Sequence, residues 1–135
     1  MRLLECVPNI SEGRDQGKID QIIEPIRSHR RVKLLDLSSD KDHNRSVISF
    51  IGEPEAVGEA ALSMALKAID LIDMRSHRGA HPRIGAVDVV PFVPILGVEM
   101  EEAVRVARDF GKELGKRGIP VYYYEEAATR PERRE

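Results

Sequence analysis

The order of secondary-structure elements in this chain is clearest in residues 46–73, which read SVISFIGEPEAVGEAALSMALKAIDLID. The first six of these residues predict a β-strand. Glu53-Pro54-Glu55 then places a proline and acidic side chains in the first turn of a helix, where a missing backbone donor is tolerated and negative charge is favoured. Apolar residues follow at helical spacing: Val57, Ala61, Met64, Ala65, Ala68 and Ile72. The stretch therefore predicts a strand and then a long helix ending near Asp73.

A strand, a helix and a further strand precede this unit. Residues 2–10 predict the first strand. After a candidate N-cap, Asp15, four isoleucines recur on one helical face: Ile19, Ile22, Ile23 and Ile26. We expect Pro25 to end or kink this helix early, because proline removes a backbone donor and crowds the carbonyl four residues back. Residues 32–37 predict a strand that returns through a polar turn, residues 38–44, to form a hairpin with the strand at 46–51.

Three more elements are predicted after the long helix. Residues 87–93 predict a strand in which Pro91 favours an edge position or a bulge. Residues 103–114 predict an amphipathic helix closed by Gly118, and residues 119–124 predict a last strand. The order predicts an α+β fold of the ferredoxin-like split β-α-β type, with a mostly antiparallel sheet, helices on one face and an extra α-β unit.

Composition limits the possible functions. The chain has 135 residues, and 21 Lys and Arg against 23 Asp and Glu give a net charge of −2. This length predicts one domain, and this balance gives no general attraction to nucleic acid or to an anionic membrane. The single cysteine cannot form an internal disulfide, which favours a cytoplasmic location. No apolar stretch is long enough to predict export or a membrane span.

Residues 75–83 have the composition of an anion-attracting loop. They contain three arginines and two histidines without an acid. Arginine binds carboxylates through forked donors, and a histidine such as His81 can exchange a proton near neutral pH. The alternative is a set of solvated charges with His81 packed beside Pro82, and composition does not separate the two readings. A metal site of His77 and His81 is a weaker alternative, because no third ligand is evident unless His43 contributes.

Two other polar segments contain candidate binding residues. The predicted hairpin turn contains Asn44 and Arg45, which could bind a carboxylate or the edge of an amide-bearing ring. The alternative is an ordinary turn in which the polar side chains bond their own backbone. In the connection after the first strand, Glu12 could accept a proton or bind an amine, and Gly13 permits an unusual backbone angle. The alternative there is a strand-to-helix connector with a capping role.

Five segments, taken in order, indicate a family. They are ECVPNISEGR (residues 5–14), NRS (44–46), LIDM (71–74), GAHPRIGAVD (79–88) and PVYYY (120–124). With these motifs the chain resembles the N-terminal subdomain of the glutamate formiminotransferase family, which includes the transferase half of formiminotransferase-cyclodeaminase. The resemblance covers nearly the whole chain, and its opening and His-Pro-Arg motifs are specific.

The resemblance implies an activity and a set of site residues. The activity is the transfer of a formimino group between N-formimidoyl-L-glutamate and tetrahydrofolate, a co-substrate, during histidine degradation, with no metal. His81 matches the family's catalytic histidine, which implies a general acid and base. As substrate-binding residues the resemblance suggests Asn44, Arg45 and Arg83, with Glu12 near the pocket.

The resemblance also implies partners. Residues 1–135 are expected to form the N-terminal subdomain, to dimerise with a second copy and to work with a second formiminotransferase subdomain outside this chain. Neither nucleic acid nor membrane is expected as a partner. Ser38 stands where family members often carry an acid, so an acidic partner for His81 is not expected in that turn. The rival hypotheses are a non-catalytic folate- or amino-acid-binding module with the same anion pocket, and a fragment that folds but binds weakly.

Overall fold

A computed structural model of the protein describes residues 1–72 and 87–119. The elements in these ranges are β1 (Leu3–Cys6), β2 (Asn9–Ile10), α1 (Gln16–Arg27), β3 (Val32–Asp40), β4 (Arg45–Gly52), α2 (Pro54–Leu71), β5 (Val87–Val89), β6 (Phe92–Leu96) and α3 (Met100–Lys116). The β1–β2 pair and the β5–β6 pair each follow one strand path that is interrupted near a proline, Pro8 or Pro91. With these pairs taken as single strands, the order is the predicted β-α-β-β-α-β, followed by α3.

The strands form one antiparallel sheet around β4. Its order is β5-β2-β4-β1-β6, and β3 pairs with the other side of β4. Asn9 of β2 lies opposite Val47, and Asp40 of β3 lies opposite Arg45 at the end of the hairpin. The β1–β2 path therefore lies between β4 and the β5–β6 path, which is the strand arrangement of the predicted ferredoxin-like fold. The α+β prediction is confirmed.

The core lies between the helices and one face of the sheet. Along β4 every second residue is buried, including Ile48 and Phe50. The isoleucine face of α1 and the alanine-rich face of α2 pack against this side. On α3, Phe110 meets Phe92 of β6 edge to face, with ring centroids 5.7 Å apart. The intervening half-buried positions lie on the face that the described helices do not cover, called the open face below. They are Leu3, Glu5, Asn9, Arg45, Val47, Ser49 and Ile51 on the strands and Val7 between β1 and β2.

The start of α1 agrees with prediction, and its end does not. Asp15 is the N-cap, because its Oδ1 accepts a hydrogen bond of 3.2 Å from the Lys18 backbone N–H. Of the two expected effects of Pro25, an early end of the helix is wrong, since α1 continues to Arg27, and a kink stays a prediction. Pro25 lies in the last turn, where its missing donor removes only one helical hydrogen bond. Ile26 is fully buried and holds that turn against the core.

Other predictions for the chain have mixed outcomes. Cys6 is buried, and burial raises the pKa of its thiol well above the usual value. Gly118 follows α3 with φ +75°, a left-handed conformation that suits glycine after a helix. Residues 120–124 of the predicted last strand lie outside the described residues. No helix in the described part of the chain has the length and apolar content needed to cross a membrane.

Two leucine-to-alanine variants test where the core lies. Leu4 on β1 is 0% exposed, whereas Leu35 on β3 is 49% exposed at a register shift of the strand. We expect Leu4→Ala to lower the free energy of unfolding by about 2–5 kcal/mol, because it leaves a cavity in the core. Leu35→Ala should change it by less than about 0.5 kcal/mol. Urea unfolding monitored by circular dichroism measures both, and equal losses would contradict the assignment of the buried face.

Candidate functional site

The loop after β2 lies directly against the turn of the β3–β4 hairpin. Gly13 is the point of closest approach. A Cβ atom at this position would lie 2.5 Å from the backbone N of Arg45 and 2.5 Å from the carbonyl O of Asp40. Since real Cβ atoms do not approach backbone this closely, only glycine fits without movement of one of the two segments. The sequence alone indicates Gly13 only as a residue with conformational freedom, and the structure shows that the constraint is space.

One peptide unit in this loop is bound at both ends by β4 and its preceding turn. The N–H of Gly13 donates a buried hydrogen bond of 2.8 Å to Oδ1 of Asn44. The carbonyl oxygen of Glu12, in the same peptide unit, accepts a hydrogen bond of 2.5 Å from the Ser46 hydroxyl. Ser46 donates its proton there, so the Ser39 hydroxyl, 2.9 Å away, donates to Ser46. We call this arrangement the peptide clamp, and it fixes the loop against the hairpin.

Asn44 contributes to the clamp through an unusual backbone conformation. Its φ is +52°, in the left-handed region that asparagine tolerates better than most residues. The residue is only 7% exposed, so its side-chain oxygen serves the buried Gly13 N–H. The Asn44 side chain therefore holds the loop at Gly13 rather than its own turn, and its assigned binding of substrate stays a prediction.

The Glu12 carboxylate supports the start of α1. Its Oε2 accepts hydrogen bonds from the backbone N–H groups of Arg14, at 3.0 Å, and Asp15, at 2.9 Å. The residue is 7% exposed, and the two backbone donors compensate for burying its charge. These contacts favour the connector with a capping role. Whether Glu12 also contacts a substrate stays a prediction.

Asp40 organises the hairpin turn through its own neighbours. Its Oδ1 accepts from the backbone N–H groups of Asp42 (2.9 Å) and His43 (3.2 Å), and its Oδ2 lies 2.7 Å from Nδ1 of His43. The hydrogen bond to the His43 side chain is the largest cause that holds the pKa of Asp40 below its usual 3.8, followed by the His43 backbone. On the other side of the turn, the Arg14 guanidinium donates to the Lys41 carbonyl at 2.6 Å.

Arg45 presents a cation at the edge of the open face. It begins β4 directly opposite Asp40, and opposite charges at such cross-strand positions attract each other. Asp40 bonds its own turn instead. Within residues 1–72 and 87–119, no acceptor or acidic partner is recorded for the half-buried Arg45 guanidinium. This arrangement suits a bound anion.

The chain returns to the sheet close to the clamp. Val87 of β5 pairs with Ile10, the last residue of β2 before the loop. The structure thus brings together Glu12, Asn44 and Arg45. His81 and Arg83, like the rest of the His- and Arg-rich stretch, lie outside the described residues, so their roles stay predictions. Among the residues that are described, no three His, Cys, Asp or Glu side chains are grouped closely enough to hold a metal ion.

Two residues of this arrangement are not indicated by the sequence alone. Ser46 looks like an ordinary polar position in a strand, and Asp40 looks like one of several acids in a turn. The contacts of Ser46 depend on the strand register, which places it opposite both Ile10 and Ser39. Those of Asp40 lie within its own turn. The three-residue spacing of Asp40 and His43 is the one local signal that could indicate the turn.

Comparison with known proteins identifies similar chains. A family model described as the formiminotransferase domain, N-terminal subdomain, matches residues 3–135. The chain is 52% identical over 134 residues to a glutamate formimidoyltransferase of Thermoplasma acidophilum, covering 98% of this chain and 44% of that protein. It is 50% identical over 133 residues to a formimidoyltransferase-cyclodeaminase of Rattus norvegicus, covering 98% of this chain and 25% of that protein. The chain thus spans less than half the length of these relatives.

Replacement of Gly13 by alanine tests the close approach. The added Cβ would overlap the hairpin backbone, so we expect Gly13→Ala to lower the free energy of unfolding by about 1–3 kcal/mol. Gly115→Ala in α3 is the matched control, because its Cβ meets nothing within 4 Å. That control should be neutral or stabilising by up to about 1 kcal/mol. Urea unfolding compares the two, and a neutral Gly13→Ala would show that the loop does not need this contact.

A titration tests the Asp40–His43 contact. Because the folded-state pKa of Asp40 lies below the usual 3.8, the contact stabilises the fold above that pH and is lost as the pH falls through the lowered value. We expect His43→Ala to raise the Asp40 pKa toward 3.8, measured by carbon-13 NMR of the carboxyl. His29→Ala, which removes a histidine bonded to Glu59, should leave it unchanged. An unaltered Asp40 pKa in His43→Ala would contradict the assigned cause.

Proposed function

The chain belongs to the formiminotransferase family through its N-terminal subdomain, and on this premise we propose that it takes part in the transfer of a formimino group between N-formimidoyl-L-glutamate and tetrahydrofolate. The observation that carries the proposal is the 52% identity over 134 residues to a protein named glutamate formimidoyltransferase. The place of this reaction in histidine degradation is part of the proposal. Tetrahydrofolate acts as co-substrate, and no metal is invoked.

The proposed chemistry needs proton transfer and an anion site. An amine attacks the amidine carbon of the formimino group, a tetrahedral intermediate forms, and the leaving amine must be protonated. His81 carries out both proton transfers: it accepts the proton of the attacking amine as general base, and then protonates the leaving amine as general acid. His81 precedes Val87 by six residues, and six extended residues span at most about 20 Å, so chain connectivity allows it to act near the peptide clamp.

The binding roles follow from charge. Both substrates carry glutamyl carboxylates, and the two arginines assigned to binding, Arg45 and Arg83, are matched to that charge. For Arg45 the support is its position on the open face without an acidic partner in the described part of the chain. For Glu12 and Asn44 we propose that their contribution is to hold the loop and the turn that flank the bound substrate.

The proposal includes an assembly. We infer that residues 1–135 act as the N-terminal subdomain of a cytoplasmic homodimer, in which a second formiminotransferase subdomain completes the site. The relatives support the second subdomain, because each extends well beyond the matched region. The single, buried cysteine is compatible with a reducing compartment.

A chimeric enzyme tests the activity. This chain replaces the matched 134 residues of the Thermoplasma acidophilum relative, and formimino transfer to tetrahydrofolate is measured. We expect turnover, and we expect His81→Ala to lower kcat by about 10²–10⁴-fold with little change in the Kd for tetrahydrofolate. His29→Ala, which replaces a half-buried histidine bonded to Glu59, is the matched control and should retain turnover.

Three outcomes would count against the proposal. Retained turnover in His81→Ala would remove the proton-transfer role, and equal losses of turnover and of folate binding would make His81 a binding residue. A folded chimera that binds folate without turnover would favour the non-catalytic binding module. The isolated chain is assayed beside the chimera to show whether it is active by itself.

A further inference from the structure

We propose that Asn9, together with Arg45, forms a subsite on the open face that binds the carboxylate of a glutamyl group. The inference rests on the proposed function. It adds to that function one residue, Asn9, and a location for the carboxylate on the open face. Four observations support it: the position of Asn9 in the sheet, its register with Arg45, the contacts of Asp40, and the apolar residues around the pair.

Asn9 is an unusual residue for its position. It lies in β2 between two strands, paired with Val47 of β4 on one side and with Val89 of β5 on the other. Asparagine is depleted in strands, since it gains little from packing there and its amide needs hydrogen-bond partners. The residue is half-buried on the open face, and no partner for its side-chain amide is recorded in the described ranges. A bound ligand would supply those partners.

The register places Asn9 and Arg45 as neighbours. Asn9 lies opposite Val47, two residues after Arg45 in the same strand, so the two residues are diagonal neighbours on one face. Diagonal pairs of this kind have their Cα atoms about 7–8 Å apart, within reach of one bound carboxylate. The guanidinium would pair with the carboxylate oxygens, and the amide N–H₂ would donate a further hydrogen bond to one of them.

The turn engages the carboxylate that lies directly opposite Arg45 in the hairpin register. Asp40 lies directly opposite Arg45, yet both of its oxygens are engaged by Asp42 and His43 at 2.7–3.2 Å. An Asp40–Arg45 ion pair would compete with a ligand for the guanidinium. His43 therefore acts as a positioning residue, because it draws Asp40 into the turn and leaves Arg45 able to bind an external carboxylate.

The surroundings fit a glutamyl group. Val7 and Val47 flank Asn9 on the same face, so apolar surface lies beside the two polar groups. The combination of an apolar floor with a few placed polar groups is typical of small-molecule sites. A glutamyl group presents methylene carbons next to its carboxylates. The methylene carbons can contact the apolar surface while a carboxylate binds the two polar groups. Both proposed substrates contain that group, and the experiment distinguishes which of them uses the subsite.

Equilibrium binding to the 135-residue chain tests the subsite. The probes are N-formimidoyl-L-glutamate, tetrahydrofolate, L-glutamate and the uncharged diamide of glutamic acid, each titrated by NMR or calorimetry. We expect Asn9→Ala to weaken binding of the carboxylate probes about tenfold, and the diamide to bind more weakly than L-glutamate. If only N-formimidoyl-L-glutamate loses affinity, the subsite belongs to the amino-acid substrate. If only tetrahydrofolate does, it belongs to the glutamyl tail of folate.

Three further variants separate binding from folding. Asn9→Asp keeps the shape of the residue, and its added charge should pair with Arg45 and repel the ligand, so binding falls at least as much as in Asn9→Ala. His43→Ala should weaken binding several-fold, because Asp40 is released to pair with Arg45. Ser49→Ala, on the same face, removes only the 2.6 Å hydrogen bond to Glu5 and should bind within about twofold of the unaltered chain. Urea midpoints confirm that each variant is folded.

The results bear separately on this subsite and on the proposed function. Unchanged affinity for every carboxylate probe in Asn9→Ala overturns the subsite, as does equal binding of the diamide and L-glutamate, or no binding of any carboxylate probe by the unaltered chain. If the unaltered chain binds in an Asn9-dependent way and the chimera shows no turnover, the proposed function fails and the subsite stands. If the chimera is active with the same KM values in Asn9→Ala, the subsite alone fails.

Discussion

The peptide clamp between Glu12 and Gly13 is the contact on which the rest of the arrangement depends. It binds the N–H and the C=O of one peptide unit to side chains on either side of Arg45, so the first strand and the hairpin cannot shift independently. The clamp also sets the start of α1, because the Glu12 carboxylate bonds the two residues that precede that helix. A single close contact, possible only at glycine, thus couples the sheet register to the placement of a helix.

The two faces of the β3–β4 hairpin have different roles. One face holds the loop after β2, and the other is available to a ligand. Ser46 faces the helices and bonds the loop, whereas the next residue toward the turn, Arg45, faces the other way. Strand alternation makes this division automatic, because neighbouring side chains lie on opposite sides of a sheet. The residues that stabilise the loop therefore do not compete with those available to a ligand. In the proposed site, residues 44–46 therefore hold the loop through Asn44 and Ser46 and present Arg45 to the ligand.

The parts of the fold that were predictable from sequence depend on local patterns. The N-cap at Asp15 and the isoleucine face of α1 are confirmed because capping and helical spacing involve residues within a few turns of one another. Pro25 shows the limit of such reasoning, since burial of Ile26 outweighs the local preference of proline to end a helix. The clamp was not predictable, because Gly13 and Asn44 are far apart in the chain and meet only through the strand register. The roles of His81 and Arg83 stay predictions, as those residues lie outside the described ranges.

The register shift at Leu35 also bears on how this protein avoids unwanted association. β3 is nine residues long, and among the described strands it pairs only with β4. The unpaired side of a strand presents a row of backbone groups to a second chain. The extra residue between Leu34 and Asp36 interrupts that row and increases the local twist. Lys33 adds a charge on the same strand. Both features make a strand edge a poorer template for the addition of a second chain, so they disfavour edge-to-edge pairing.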